Sequence, residues 1–458
     1  MRAHFIFSRR AVVEAVRGRL LRHLAAALCV LPLFAAPAFA TTIERVVSPG
    51  GIEAWLVHES AVPMIAIDFA FAGGAAQDLA GKGGTAHLVA SLLDEGAGDI
   101  ASKAFHDRLE RKAIELSYQA DRDNLRGTLR TLSANRDEAF EDLRLSLTAP
   151  RFDQADVDII KDQVLSTLRR ATTNPGEAAS QRWWQTAFPD HPYGRPTDGT
   201  LTSVPLITAN DLRDYTHRVL ARGNLKVAVV GDIDAEAVKA MLDRVFGALP
   251  ALSQLTPVAD ATPQGLGHTV VVKLDVPQAV IAFGGPGIAR KDPDFMAAYI
   301  INHILGGGAF TSRLYEEVRE KRGLAYSVYD TLLWLNHAAL FIGGTATRSD
   351  RAAETLSIID REIRRLADDG PTADELAKAK DYLNGAFALN LDTSSKIAAL
   401  LVQLQLDGLG IDYFERRPEL IKAVTLSDAK RVAKRLLGEG LLVTVAGRPD
   451  GVVSTSAE

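Results

Sequence analysis

Cysteine is almost missing from this chain: its 458 residues hold one, Cys29, and none follows it. Whatever lies beyond that residue needs no disulfide and uses no thiol, so its stability must come from a packed core. Histidine is thinly spread as well. After residue 40 the two nearest in sequence are His87 and His106, too far apart to leave one face of a helix as a zinc-gripping pair. The run Gly306-Gly307-Gly308 is not followed by Gly-Lys-Ser/Thr, which excludes a phosphate loop and leaves a flexible joint as the expectation there. An excess of positive charge is also lacking. The formal charge is −5, and without residues 1–40 it becomes 46 basic residues (52 less six arginines) against 56 acidic ones (57 less Glu14), or −10. That balance argues against nucleic acid or an anionic membrane as a partner.

Residues 1–40 carry a pattern of their own. Arg2, Arg9, Arg10, Arg17, Arg19 and Arg22 make a basic start, residues 24–40 are apolar but broken by Pro32 and Pro37, and Ala38-Phe39-Ala40 is an A-x-A cleavage pattern. This predicts a secretory signal cut at Ala40/Thr41, general export, a periplasmic mature protein and no stable membrane insertion after cleavage. Cys29 follows Leu28 rather than a small residue, which argues against a lipoprotein.

The remaining 418 residues (41–458) are too long for one ordinary domain, and 47% hydrophobic content supplies two cores. The chain also contains itself twice. The stretch beginning Thr208-Ala209-Asn210-Asp211, followed by a helical pattern and the strand 226–232, recurs 217 residues later as Thr425-Leu426-Ser427-Asp428, a helix and the strand 441–447. Lys161-Asp162 has its counterpart in Lys380-Asp381. Each half opens with two strands read as a hairpin, 52–59 with 64–71 and 269–276 with 279–283. A helix capped by Asn135 follows over 135–147, another over 155–169, and a second-half hairpin 326–335/339–347 turns at Asn336-His337. Residues 251–267, with prolines and no periodicity, read as a linker. The expectation is an α+β protein: two similar α/β sandwich domains, 41–250 and 268–451, each a mixed, mainly antiparallel sheet with helices on one face, then a tail 452–458.

One helix carries chemistry by what has gone from it. Gly84-Thr85-Ala86-His87-Leu88-Val89-Ala90-Ser91 has the outline of an H-x-x-E-H zinc helix, in which two histidines bind the metal and the glutamate takes a proton from water. Here His87 is kept, but Ala90 stands at the base and Ser91 at the second ligand. A methyl group takes no proton, and one imidazole does not hold a catalytic zinc.

With that helix, Gly83-Gly84, His191-Pro192-Tyr193-Gly194, Val229-Val230-Gly231-Asp232, Leu305-Gly306-Gly307-Gly308 before Ser312-Arg313-Leu314, and 319–326 (REKRGLAY), the chain resembles the pitrilysin/insulinase-type zinc peptidases. It is similar to their short two-domain form related to mitochondrial processing peptidase. The resemblance implies a third zinc ligand, a glutamate, on a later helix of the first domain; the best match here is Gln163, a poor ligand. It also implies that Arg319 and Tyr326, with six residues between them, bind substrate near the scissile bond. The plain alternatives are a salt-bridged arginine with a core tyrosine at those two positions, a packed helix residue at His87, a structural His191 and a core Trp183-Trp184. The resemblance thus implies a chain with no cofactor of its own, acting as the non-catalytic, substrate-binding subunit of a secreted heterodimeric peptidase. Its partners would be a peptide and a homologous subunit carrying an intact H-x-x-E-H and Zn²⁺. A stand-alone binding or scaffold protein, or a zinc peptidase with an unorthodox site, are the competing expectations.

Overall fold

The structure, a computed structural model, describes residues 42–389 and 391–455. The expected signal and its cleavage point lie outside the described residues, as does the end of the tail. From Ile43 onward the chain is one compact unit. Its first half contains strands β1 (Glu44–Val47), β2 (Glu53–His58), β3 (Met64–Ala72), β4 (Glu115–Ala120), β5 (Asn124–Leu132) and β6 (Leu225–Gly231). Its helices are α1 (Thr85–Leu92), α2 (Ser102–Arg111), α3 (Arg136–Thr148), α4 (Gln154–Ala171), α5 (Pro175–Ala187), α6 (Ala209–Val219) and α7 (Ala235–Phe246). The second half contains β7 (Thr269–Lys273), β8 (Gln278–Pro286), β9 (Ala325–Trp334), β10 (Ala339–Arg348) and β11 (Leu442–Gly447). Its helices are α8 (Phe295–Asn302), α9 (Ala352–Asp369), α10 (Ala373–Leu389), α11 (Ser394–Leu406), α12 (Tyr413–Ala423) and α13 (Leu426–Leu437).

Sheet order makes the internal repeat explicit. The first sheet runs β1-β2-β6-β3-β5-β4 and the second β7-β11-β8-β10-β9. In both, the last strand of the half lies between the two strands expected to pair: β6 is parallel to β2 and antiparallel to β3, and β11 is parallel to β7 and antiparallel to β8. The opening hairpins expected from sequence are therefore absent, because the two strands of each pair never touch. The reason lies in the strands themselves. Residues 54–57, 65–71 and 227–231 are buried without a break, a pattern that suits a strand covered on both faces, and a late strand of that kind takes a central place.

The two repeated lysines do the same work. Lys161 on α4 donates to the carbonyls of Pro205 and Ile207 (3.1 and 2.8 Å), just ahead of α6, whose Thr208 and Asp211 form a capping box. Lys380 on α10 donates to those of Lys422 and Val424, just ahead of α13, whose Thr425 and Asp428 form the same box. Asn135, expected as a cap for α3, makes no cap bond; its amide instead donates to the Lys112 carbonyl at 2.7 Å.

Each half packs its own helices on one face of its sheet, and the opposite face receives a helix from the other half. The inward-facing Leu56, Ile67, Phe69 and Val229 join α1, α3, α6 and α7 in one core. Alternate residues of the same strands, Trp55, Val57, Ala70, Ala228 and Val230, pack on Ala398, Leu401 and Val402 of α11, a second-half helix. Reciprocally, Trp183 and Ala187 of α5 pack on Leu442 and Leu340 of the second sheet, and Trp183 Nε1 donates to Leu442 O at 3.1 Å. Trp183 is thus core, as read from sequence, but the core is shared between halves.

The joint is finished by polar contacts. Tyr193 OH donates to Asp123 Oδ1 (2.6 Å) and accepts from the His337 backbone N–H (3.0 Å), while Asp123 Oδ2 accepts from that of Asn336 (2.8 Å). His191 accepts from Tyr193 N–H and is bonded to the Ala259 carbonyl, a structural duty. The stretch between the halves is an ordered strap: Gln77 pairs with both backbone groups of Thr256, and Ala261 N–H reaches His337 O.

Candidate functional site

The helix α1 is placed by its approach rather than by its own side chains. Gly84 has φ +95°, and a Cβ there would stand 2.9 Å from the Asp198 carbonyl, so the close turn requires glycine. The buried Asp78 carboxylate accepts from Gly84 N–H and Ala86 N–H (2.8 and 2.9 Å), filling the start of the helix, while burial pushes its pKa up to about 6. Ser203 Oγ donates to Gly83 O at 2.7 Å and holds the loop in place.

On this helix His87 is half-buried, and its Nδ1 lies 3.5 Å from Asp198 Oδ1. Ala90 is buried against the core. The Ser91 hydroxyl donates to the His87 carbonyl at 2.9 Å, the back-bond of a helical serine. Gln163 is exposed on α4, on the side away from the buried Val157 and Val164. Among the described residues no group of three or more His, Cys, Asp or Glu side chains could hold a metal ion. The donors at the position where the resemblance implies zinc do not fit the ion: one imidazole, a methyl, a hydroxyl engaged by its own backbone and an amide facing solvent. Asp198, the contact His87 does make, had no signal in the sequence.

Restoring the two missing groups does not restore the shell. Ala90→Glu with Ser91→His is expected to leave the purified chain without stoichiometric zinc and without peptide hydrolysis, since a third anionic ligand is still absent. Metal analysis of that double variant, or of the unaltered chain, finding one zinc per chain lost on His87→Ala would overturn this.

The second-domain residues form a different kind of site. After α8 the chain widens into a turn over His303–Gly307, where the glycines serve close packing rather than the flexible joint expected from sequence. A Cβ on Gly306 would lie 2.5 Å from Asp330 Oδ2 and one on Gly307 2.9 Å from Asn302 Oδ1, and Asn302 itself donates to Asp330. A further wide turn, Tyr315–Glu320, carries Arg319. Its guanidinium carbon sits 4.9 Å from the Tyr315 ring centre and 4.6 Å from that of Tyr326, between the two rings. Register slips between Ala325 and Val328 at the start of β9, and Tyr326, inside that irregularity, is 83% exposed. No carboxylate of the described residues pairs with Arg319, so its N–H groups remain open to a ligand. The plain alternative of a salt-bridged arginine beside a core tyrosine is not the arrangement found. Tyr315, which supports the guanidinium from beneath, was not singled out in the sequence, although its place four residues before Arg319 on a helical turn was the available signal.

Two family descriptions match in tandem: Insulinase (Peptidase family M16) over residues 56–201 and Peptidase M16 inactive domain over residues 206–383. The chain belongs to the insulinase family. It is a member whose own peptidase centre has been lost. A non-peptidase homolog, YmxG, of Helicobacter pylori is 29% identical over 335 residues, 73% of this chain and 77% of that protein. An uncharacterized zinc protease of Streptomyces coelicolor is 27% identical over 417 residues, covering 89% of this chain and 90% of the relative. The crystal structure of a peptidase M16 inactive domain from Pseudomonas fluorescens superposes with a TM-score of 0.84 at 28% identity, covering 91% of this insulinase-family chain and all of that one. The fold described above is thus the two-domain fold of the family, with two similar α/β halves.

Proposed function

We propose that this chain is the non-catalytic, substrate-binding subunit of an exported, two-subunit zinc metallopeptidase acting on peptides or unfolded polypeptides. The observation that carries the reading is an unpaired Arg319 stacked beside an exposed Tyr326 in a chain whose zinc helix offers His87 alone. A guanidinium that meets no carboxylate among the described residues and a phenol in solvent are not needed by the packed core. Their presence beside a lost zinc helix points to a ligand. Arginine N–H groups suit peptide carbonyls and a terminal carboxylate, and a tyrosine hydroxyl suits a developing oxyanion. The metal, the attacking water and the base would then reside in a homologous partner with an intact H-x-x-E-H, while this chain supplies half of the wall around the peptide.

Mixing the purified protein with such a partner is expected to give a co-purifying complex that hydrolyses an unfolded polypeptide faster than the partner alone. The protein recovered from the periplasm should begin at Thr41. No association at micromolar concentration, together with no gain in activity, would leave a stand-alone scaffold as the better description.

A further inference from the structure

The exchange of helices between the halves leaves one strip of each sheet uncovered, and the two strips differ in chemistry. In the first half α11 lies over β6 and β3, so the outer faces of β5 and β4 stay open. That strip is polar, as a wet surface should be: Ser117 bonds to Thr128 at 2.8 Å, and Arg130 pairs with Glu115. In the second half α5 lies over β11 and the near part of β8, with Trp183 seated on Gly284. The equivalent open strip, β10 and β9, presents Gly344, Ala346, Ser327 and Tyr329.

Together with Val280 and Ala282 of β8 and Trp184 of α5, this strip forms an open cleft of about 380 Å³. Its floor is bare. Gly344 has no side chain, and a Cβ there would stand 3.4 Å from the Tyr329 hydroxyl, so the tyrosine ring lies along the strip as one wall. Trp184 makes the other wall, held edge-on by Trp183 (5.3 Å) and stacked on Phe188 (5.7 Å), with the Arg122 guanidinium 3.5 Å from its ring centre. Two aromatic walls over a floor of Gly344, Ala346, Ala282, Val280 and Ile342 make a largely apolar slot of a size that ligand pockets have, where the corresponding strip of the sister half is polar.

We infer that this cleft takes one bulky apolar side chain, aromatic or branched aliphatic, of an extended peptide laid along β9. The inference rests on the substrate-binding role proposed above and adds a specificity to it. β9 is the free edge of its sheet, so its unpaired N–H and C=O groups can take a peptide as a sixth strand. Side chains of an added strand alternate between faces, and those on the outer face stand next to Tyr329, from where a bulky one would lean across the ring toward the slot. Arg319 and Tyr326, at the start of the same strand, hold the neighbouring backbone. The main chain of the peptide would then supply affinity without sequence, and the slot would supply the preference.

The test uses the purified protein and a ten-residue soluble peptide with Phe, Leu, Ala or Glu at one central position, with binding read by fluorescence anisotropy. The Phe and Leu peptides are expected to bind about tenfold more tightly than the Ala and Glu peptides, the gain from removing one such side chain from water. Ala346→Phe, which fills the slot from an exposed position, should erase that preference and leave the Ala peptide's affinity and the melting temperature unchanged. Ser180→Phe, filling it from the α5 side, should do the same. Arg319→Ala should weaken all four peptides alike. A peptide with p-benzoylphenylalanine at the central position should crosslink to Trp184, Tyr329 or Ile342, which also lines the cleft. Equal binding of all four peptides, or crosslinks elsewhere, with Arg319→Ala still weakening them, would overturn the slot and leave the subunit role standing. No binding by any peptide would overturn both.

Discussion

In the assembled complex, Arg319→Ala or Tyr326→Phe is expected to lower turnover on the order of a hundredfold, the loss of about 3 kcal/mol that follows removal of one transition-state donor. Assembly and thermal stability should stay as they were. The structure gives the reason for that separation. Arg319 pairs with no carboxylate among the described residues and stacks between the Tyr315 and Tyr326 rings, so its removal leaves no buried counter-charge behind. Tyr326 projects into solvent, and the loss of its hydroxyl breaks no internal bond. An effect of this size lies well above that of an ordinary surface change. Both variants turning over at the unaltered rate within an intact complex would place the substrate contact of this subunit elsewhere. Both failing to fold or to associate would make the pair structural.

Leu401→Ala is expected to destabilise the whole molecule by about 2–5 kcal/mol, the cost of a cavity at a fully buried leucine, although the residue belongs to the second half. Leu401 sits on α11 under the first-half sheet, among Trp55, Val57 and Val230. Because Trp183 and Ala187 of α5 sit in the same way under the second-half sheet, neither half buries its outer face without the other. Denaturant unfolding should show a single transition with a lower midpoint and an unchanged slope. Hydrogen exchange should show faster opening of β3 and β6, strands remote in sequence from the substitution. Two separate transitions, with only the second half weakened, would show that the helix exchange does not couple the halves.

Much of this was legible in the residues because it depends on short-range patterns. The capping boxes at Thr208 and Thr425 are four-residue signals, and each follows a Lys-Asp pair, Lys161-Asp162 or Lys380-Asp381, at a similar distance, so the repeat is visible in the residues alone. The loss of the zinc helix was equally plain, since an H-x-x-E-H site is written on one turn and Ala90 and Ser91 occupy that turn. The expected opening hairpins failed because sequence proximity favours pairing neighbours, whereas β6 and β11 return from more than a hundred residues away to the centre of their sheets. The cap expected of Asn135 failed because its backbone, at φ −107° and ψ 8°, is not in the extended conformation of a cap, and its amide nitrogen turns to Lys112 O. The glycines 306–308 looked loose in isolation and are tight in place, because Asp330 comes against Gly306 from a strand remote in sequence while Asn302 and His303 crowd Gly307 and Gly308.

By itself, then, the sequence determined what is local: two repeated halves, an apolar content enough for two cores, a zinc helix without its base and second ligand, and an Arg and a Tyr at a fixed spacing. Tertiary structure alone decided that the halves trade helices, that Arg319 has no ionic partner among the described residues while Tyr326 stands in solvent, and that one open strip of sheet is polar while its counterpart lines a largely apolar cleft. The physical reason is that burial and pairing are properties of contacts between residues far apart in the chain. The covalent order fixes which groups are present, and only packing fixes which of them are left without a partner.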